Sequence, residues 1–207
     1  MKRHNTLSAL LVRERIRYFS LPVYLTNTAC GLLFAAVFVL LVVLIPDRIN
    51  PYIYQLAEYF QVSPSDYDVL FIYAFSILTT ISCTTCASIS IEGKQRELLK
   101  SYPISIKELL LAKYLFHLSL TVPMIFICAT LLGIVCRMTV SEYCLLFLLP
   151  TVFSVFVGAL GLLINLVFPN YEWENVTYIV KQSISAIITI LLSILIVGGS
   201  LWIVLYF

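Results

Sequence analysis

Long apolar segments alternate with short polar ones along this chain. Five of the apolar segments are long enough to cross a bilayer: about 21–45, 69–91, 109–135, 143–168 and 183–207. A membrane-spanning helix needs roughly 20 predominantly apolar residues, because each residue rises about 1.5 Å and the hydrocarbon layer is about 30 Å thick. The pattern predicts an all-α polytopic membrane protein, with a single transmembrane domain over 1–207.

Composition agrees with this interpretation. Of the 207 residues, 61% are hydrophobic and 12% are charged. Soluble domains carry about 25% charged residues. Half that share of charge, together with uncharged runs of more than twenty residues, excludes an ordinary water-soluble core.

The segment before the first span has a different pattern. In LSALLVRERIRYF (7–19), leucines and isoleucine recur at helical spacing, and Arg13, Arg15 and Arg17 lie among them. This pattern predicts an amphipathic helix in the headgroup layer with arginines directed toward anionic lipid. The alternative is an ordinary polar flank of the first span. The interleaved charges leave no apolar core typical of a cleavable signal peptide.

The first polar connection, IPDRINPYIYQLAEYFQVSPSDYD, contains three prolines. It is expected to be a loop of about twenty residues, with its tyrosines at the membrane–water boundary. The third connection, RMTVSE (137–142), is expected to be tight. Asn175 begins an Asn-Val-Thr sequon in the fourth connection, but the orientation argued below places that connection in the cytoplasm, where it would remain unmodified.

The second connection, SIEGKQRELLKSYPISIKELLLAKY (90–114), is densely charged. Residues 92–102 are too few and too charged to span, and Pro103 directly after them breaks the segment. Ser105 and Glu108 then form an S-x-x-E capping box before an apolar run. The pattern predicts a short helix over 92–102 lying crosswise between two spans. It suits a lever that a docking protein could move, or a solvated loop whose charge sets orientation.

Basic residues set the expected orientation. Eleven of the thirteen Lys and Arg residues lie on one side if the five spans alternate, and only Arg48 and Arg137 lie on the other. Positively charged segments stay in the cytoplasm. The N-terminus and the 92–108 segment are therefore expected to be cytoplasmic.

Several polar residues within the spans are candidates for function. Thr80, Thr84 and Thr85 lie in a stretch rich in small hydroxylated residues, which suits a substrate pathway or close helix packing. His117 is a fourth pathway candidate, with structural burial as its alternative. Lys113 fits either an intramembrane functional group or a side chain that snorkels to the headgroups.

The cysteines give weaker signals. Cys83 and Cys86 form a CxxC, but no second CxxC or nearby histidine completes a metal ligand set. Cys136 and Cys144 flank the tight connection and could pair in an oxidising compartment. No metal site is predicted.

The chain has no recognisable catalytic machinery. Its only Gly-Lys pair, Gly93-Lys94, lacks the upstream glycine and the following Ser or Thr of a phosphate loop. No HExxH motif occurs, no paired carboxylates lie within a span, and no basic–aromatic surface indicates nucleic acid. The chain is expected not to be an enzyme and to hold no cofactor.

Two stretches carry a family resemblance. SIEGKQRELLKSYPISIKELLLAKYL resembles the segment between the second and third membrane helices of bacterial type-2 ABC exporter permeases, and GLLINLVFPNYEWENVTYIVKQS is similar to a later part of that family. Together with RYFSLPVYLTNTACG, the likeness runs through most of the chain. Such permeases usually have six spans, so five would make this chain a half-subunit or an inactive truncated product.

The resemblance implies a permease subunit in the cell membrane that exports a substrate of unknown identity. A separate cytoplasmic ATP-binding-cassette ATPase would bind ATP and magnesium, and a second permease copy or related half would complete the pathway. Apolar and small polar spans suit a peptide or lipid-like substrate better than an ion. The implied ATPase-docking residues are Glu92, Lys94, Arg96, Glu97, Leu98, Leu99 and Lys100. The rival hypothesis is a non-transporting regulatory or immunity factor of the membrane.

Overall fold

A computed structural model describes residues 6–59, 67–173 and 175–206. Within these ranges the chain forms ten α-helices, one 3-10 helix and no β-strand. The α-helices are α1 (Thr6–Ser20), α2 (Pro22–Leu44), α3 (Pro46–Tyr59), α4 (Tyr67–Thr80), α5 (Thr85–Ser88), α6 (Arg96–Ser101), α7 (Ile106–Val135), α8 (Val140–Val167), α9 (Val176–Gln182) and α10 (Ile184–Tyr206); the 3-10 helix is Ser90–Gln95.

Five helical segments of the described chain are long and apolar enough to cross a membrane. They are Pro22–Leu44, Asp68–Gly93, Ile106–Val135, Val140–Val167 and Val176–Leu205. These bounds lie within a few residues of the predicted ones, except that the fifth segment begins earlier, with α9. The prediction of an all-α polytopic membrane protein is confirmed.

The first connection differs from the prediction. Residues expected to form a loop instead begin with helix α3, Pro46–Tyr59. Pro46 occupies the first helical position, where its missing N–H would have had no intrahelical partner. Pro51 removes one internal hydrogen bond, and the helix tolerates this loss. The prolines alone therefore do not identify this part of the connection as a loop.

The second span is a broken helix. Helix α4 ends at Thr80 and α5 begins at Thr85, so 81–84 form an irregular segment midway along Asp68–Gly93. The crosswise helix predicted over 92–102 is also shorter, because Gly93 has a φ of 46° and separates the 3-10 turn from α6. Only glycine adopts that backbone conformation without strain.

By its contacts the chain divides into two compact units. Of the described residues, one unit contains those within Met1–Ala29, Cys83–Leu120 and Val155–Leu191, and the other contains those within Cys30–Ser82, Thr121–Ser154 and Leu192–Phe207. The first unit has a buried core that includes Tyr18, Phe116, Val157 and Ile179. The core of the second unit includes Val39, Phe75, Ile125, Leu132 and Leu146.

Side-chain caps fix several helix starts. The predicted capping box is confirmed, because Ser105 Oγ accepts from the Glu108 amide at 3.2 Å and Glu108 Oε2 accepts from the Ser105 amide at 3.3 Å. A similar pair, Thr139 and Glu142, precedes α8. Asn175 caps α9 by accepting from the Thr177 amide at 2.9 Å. The sequon asparagine thus has a structural role.

Candidate functional site

Five charged side chains meet inside the first unit. Arg13, Glu14 and Arg17 come from α1, Glu92 from the 3-10 helix, and Lys113 from the second turn of α7. We call these five residues the ionic cluster. Glu14, Glu92 and Lys113 are almost completely buried, Arg17 is mostly buried, and 28% of the Arg13 side chain is exposed.

Lys113 lies at the centre of the cluster. Its Nζ is 2.7 Å from Glu92 Oε1 and 3.1 Å from Glu14 Oε1, and it also donates to the Ser88 carbonyl at 2.9 Å. These acceptors match the three N–H groups of an ammonium. Lys113 therefore does not snorkel to the headgroups; it joins α1, the end of the second span and α7.

The arginines approach the same two carboxylates from α1. Arg17 Nη1 is 3.3 Å from Glu14 Oε1 and 3.5 Å from Glu92 Oε1, and Arg13 Nη2 is 3.6 Å from Glu92 Oε1. Leu10, Glu14 and Tyr18 form the buried stripe of α1, spaced four residues apart. Arg13 and Arg17 flank that stripe, also four apart, so both reach the cluster while Arg15 remains exposed.

The cluster has unequal charge. Three cations face two carboxylates, which leaves one formal positive charge in excess among these five side chains. Burial lowers the pKa of the Arg13 guanidinium from its ordinary value, and the adjacent Arg17 lowers it further, whereas Glu92 and Glu14 raise it. Arg13 Nη1 is buried and has no hydrogen-bond partner among the described residues. A buried donor without an acceptor is costly.

A second polar network holds the segment next to Glu92. Asn165 of α8 accepts from the Ile89 and Ser90 amides at 2.8 and 3.2 Å. Its amide donates to Ser90 Oγ at 2.8 Å and to Ser185 Oγ at 3.0 Å. Trp173 Nε1 donates to the Ser90 carbonyl at 2.9 Å. The backbone at the end of the second span is therefore tied to α8, α10 and the connection between α8 and α9.

Gly93 completes this attachment. A Cβ at Gly93 would lie 2.9 Å from Trp173 Nε1, closer than side chains tolerate, and the positive φ of Gly93 also favours glycine. The backbone before Gly93 is fixed by buried polar groups, and the chain after it turns into α6. Gly93 is therefore the boundary between the anchored and the exposed parts of the charged connection.

The predicted docking residues separate into buried and exposed positions. Glu92 is 3% exposed, and its carboxylate faces the ionic cluster. Glu97 is exposed, Leu98 is 66% exposed and Leu99 is half-buried. Arg96 is half-buried, with its guanidinium carbon 4.3 Å from the centre of the Tyr171 ring.

The side chains of Lys94 and Lys100 lie outside the described residues. Tyr102, which follows α6, is 61% exposed. Glu97 and Leu98 on α6, together with Tyr102, are thus exposed, whereas the Glu92 carboxylate anchors the start of the segment in the ionic cluster. The assignment of an ATPase to this surface stays a prediction.

The predicted pathway residues are all buried in packing. Thr84 Oγ1 is 3.3 Å from His117 Nδ1, and Thr85 Oγ1 donates to the Gly158 carbonyl at 2.7 Å. Thr80 Oγ1 donates to the Ile77 carbonyl at 2.8 Å. The Thr80 and Thr85 hydroxyls thus satisfy helix carbonyls, and the Thr84 hydroxyl contacts the His117 ring. Their role in a pathway stays a prediction.

Glycines allow close approach to both sides of the break in the second span. A Cβ on Gly31 would lie 2.6 Å from the Ser82 amide nitrogen, and one on Gly161 would lie 2.5 Å from Cys83 Sγ. The Tyr24 hydroxyl donates to the Thr84 carbonyl at 2.6 Å. Irregular backbone at membrane depth is tolerated where protein groups satisfy it. Ser82 in one unit and Cys83 and Thr84 in the other therefore each contact a protein neighbour closely.

The sequence signal for Glu14 was present but not recognised. A single acidic residue lies between arginines in RERIR, in register with Leu10 and Tyr18 on one helix face. An acid on the buried stripe of an amphipathic helix requires a cation. The sequence signal for that cation is Lys113, because it is the only Lys, Arg, Asp or Glu within the third predicted span, 109–135.

The described residues contain no cluster of His, Cys, Asp and Glu suited to a metal ion. Cys83 and Cys86 are buried thiols, and Cys136 and Cys144 are also free. These features define a multi-pass α-helical membrane protein whose charged connection is anchored by a buried ionic cluster. No family model, curated protein or solved structure matches the chain.

Proposed function

We propose that this chain is the membrane subunit of an exporter driven by a separate cytoplasmic ATP-binding-cassette ATPase. The observation that carries the proposal is the attachment of the charged connection. Glu92 at its start is buried in the ionic cluster, whereas Leu98 on α6 and Tyr102 just after α6 are exposed. Exposed apolar residues beside charged ones suit a protein partner. The resemblance of this stretch to exporter coupling segments favours the ATPase as that partner.

The proposed mechanism uses α6 as a lever. ATP-driven closure of two ATPase subunits displaces α6, and the displacement passes through Glu92 to Lys113 on α7 and to α1. Because the cluster is buried and charged, it resists separation and transmits movement rather than absorbing it. In this proposal two permease copies enclose the substrate pathway, and its substrate is an amphipathic peptide or a lipid.

The distribution of basic residues supports the proposed orientation. In this orientation the N-terminus and α6 lie on the cytoplasmic side of the cell membrane, where ATP is available. The broken second span gives further support for transport, since discontinuous membrane helices commonly form the moving parts and binding sites of transporters.

One observation favours a second candidate function. Thr84, Thr85 and His117 are enclosed by packing, as expected for a static scaffold. A non-transporting regulatory or immunity factor of the membrane would need no pathway. A partner ATPase whose ATP hydrolysis increases when substrate is added would distinguish export from this alternative.

Co-purification tests the docking surface directly. The tagged chain is purified from membranes of the cell that naturally produces it, and mass spectrometry searches for a protein with an ATP-binding-cassette phosphate loop. We expect Leu98→Asp to remove that protein and Val140→Asp to retain it, because Val140 is 82% exposed but begins a different helix. Retention of the ATPase by Leu98→Asp at the wild-type level would refute docking on α6.

A further inference from the structure

A cavity of about 990 Å³ opens beside the ionic cluster in the first unit. Arg13, Arg17, Glu92 and Gln95 supply polar atoms to its lining. Its apolar and aromatic lining residues are Ala9, Val12, Ile16, Leu21, Ile91, Tyr171 and Trp173. The cavity therefore combines cationic side chains with an apolar wall.

The charge of the cavity favours an anion. The ionic cluster has one formal positive charge in excess, and Arg13 is its most exposed cation. The Arg13 side chain is 28% exposed and lines the cavity. An anionic oxygen in the cavity would lie against this exposed part of Arg13 and balance the excess charge.

The surroundings favour an anion carried by an amphiphile. Val12, Ile16 and Phe19 are 53%, 61% and 59% exposed, so α1 presents an apolar surface outward. Leu21 lies in the cavity lining and immediately precedes the membrane-spanning helix α2. Aromatic residues such as Trp173 are typical of the headgroup level.

We propose that this cavity binds the phosphate of an anionic membrane phospholipid, with the phosphate at Arg13 and the acyl chains along Val12, Ile16 and Leu21. Guanidinium groups bind phosphate oxygens by charge-assisted hydrogen bonds. The site is separate from α6 and does not depend on the exporter function. A bound lipid would brace the ionic cluster from its exposed side.

Native mass spectrometry tests this site. The full chain in neutral detergent is titrated with phosphatidylglycerol or phosphatidylcholine, and bound lipids are counted. We expect phosphatidylglycerol to bind more tightly, and Arg13→Gln to weaken its binding about tenfold, the effect of losing one charge-assisted hydrogen bond. Arg15→Gln is the matched control, because it removes an exposed arginine from the same helix.

Three results would overturn the proposal: equal binding of both lipids, equal weakening by Arg13→Gln and Arg15→Gln, or displacement of the lipid by excess inorganic phosphate alone. The last result would assign the site to a free anion.

If Arg13→Gln fails to yield a folded monodisperse protein, Gln95→Glu replaces it. Gln95 is exposed, lines the cavity and makes no ion pair, so a carboxylate there should repel the phosphate. Unchanged phosphatidylglycerol binding by Gln95→Glu would equally overturn the proposal.

Discussion

Replacing Glu92 by glutamine tests the energetic role of the ionic cluster. At the 2.7 Å separation of Lys113 Nζ and Glu92 Oε1, the gross attraction is about 6 kcal/mol for an effective dielectric of about 20. Desolvation offsets part of this attraction. Removing one partner of a buried pair typically costs about 3–5 kcal/mol, and we expect Glu92→Gln to lower the free energy of unfolding by that amount.

The charge balance of the cluster predicts an order among variants. Glu92→Gln leaves three cations facing one carboxylate, whereas Lys113→Met leaves two cations facing two carboxylates. Lys113→Met should therefore be less destabilising, by about 1–2 kcal/mol. The Glu92→Gln/Lys113→Met double variant should lower the free energy of unfolding by less than the sum of the two single effects. The difference should reach up to about 3 kcal/mol, because the two residues interact directly.

Equilibrium unfolding in mixed micelles, followed by tryptophan fluorescence, measures these differences. Glu97→Gln is the matched control, since Glu97 is exposed and should change stability by less than about 0.5 kcal/mol. Equal effects of Glu92→Gln and Glu97→Gln, or strict additivity in the double variant, would refute a cohesive buried cluster.

Three further predictions concern packing and capping. Gly158→Ala should destabilise the chain by about 1–3 kcal/mol, because its Cβ would lie 2.5 Å from the His117 ring. Gly198→Ala is the control, because a Cβ there meets nothing within 4 Å and should not destabilise the chain. Thermal unfolding compares the two variants. Asn165→Leu should cost about 3 kcal/mol in the same assay by leaving two backbone amides without their acceptor, and wild-type stability would contradict that account. Glu108→Ala should cost about 1 kcal/mol through the lost capping box, measured by mixed-micelle unfolding, and a gain in stability would contradict it.

Hydrophobic pattern alone predicted the spans, because each must satisfy its own backbone in a medium without water. The capping box was equally predictable from the sequence, since Ser105 and Glu108 are three residues apart and interact locally. These features depend on nearby residues. The sequence therefore carries them without any knowledge of tertiary packing.

Features that depend on distant partners were not predicted. Gly31 approaches Ser82 closely, and Gly161 approaches Cys83 closely, although each glycine lies far from its neighbour in sequence. The burial of Glu92 depends on Lys113 and on α1. A charged residue in a polar connection is usually solvated, so only its three-dimensional partners distinguish an anchor from a surface ion.

Photo-cross-linking from position 98 in intact cells tests the central claim most directly. A photoreactive amino acid replaces Leu98 on exposed α6, and a second variant carries it at Val140. We predict an adduct with an ATP-binding-cassette ATPase from position 98 and none from position 140. Absence of the ATPase adduct at position 98, or equal adducts at both positions, would contradict the account.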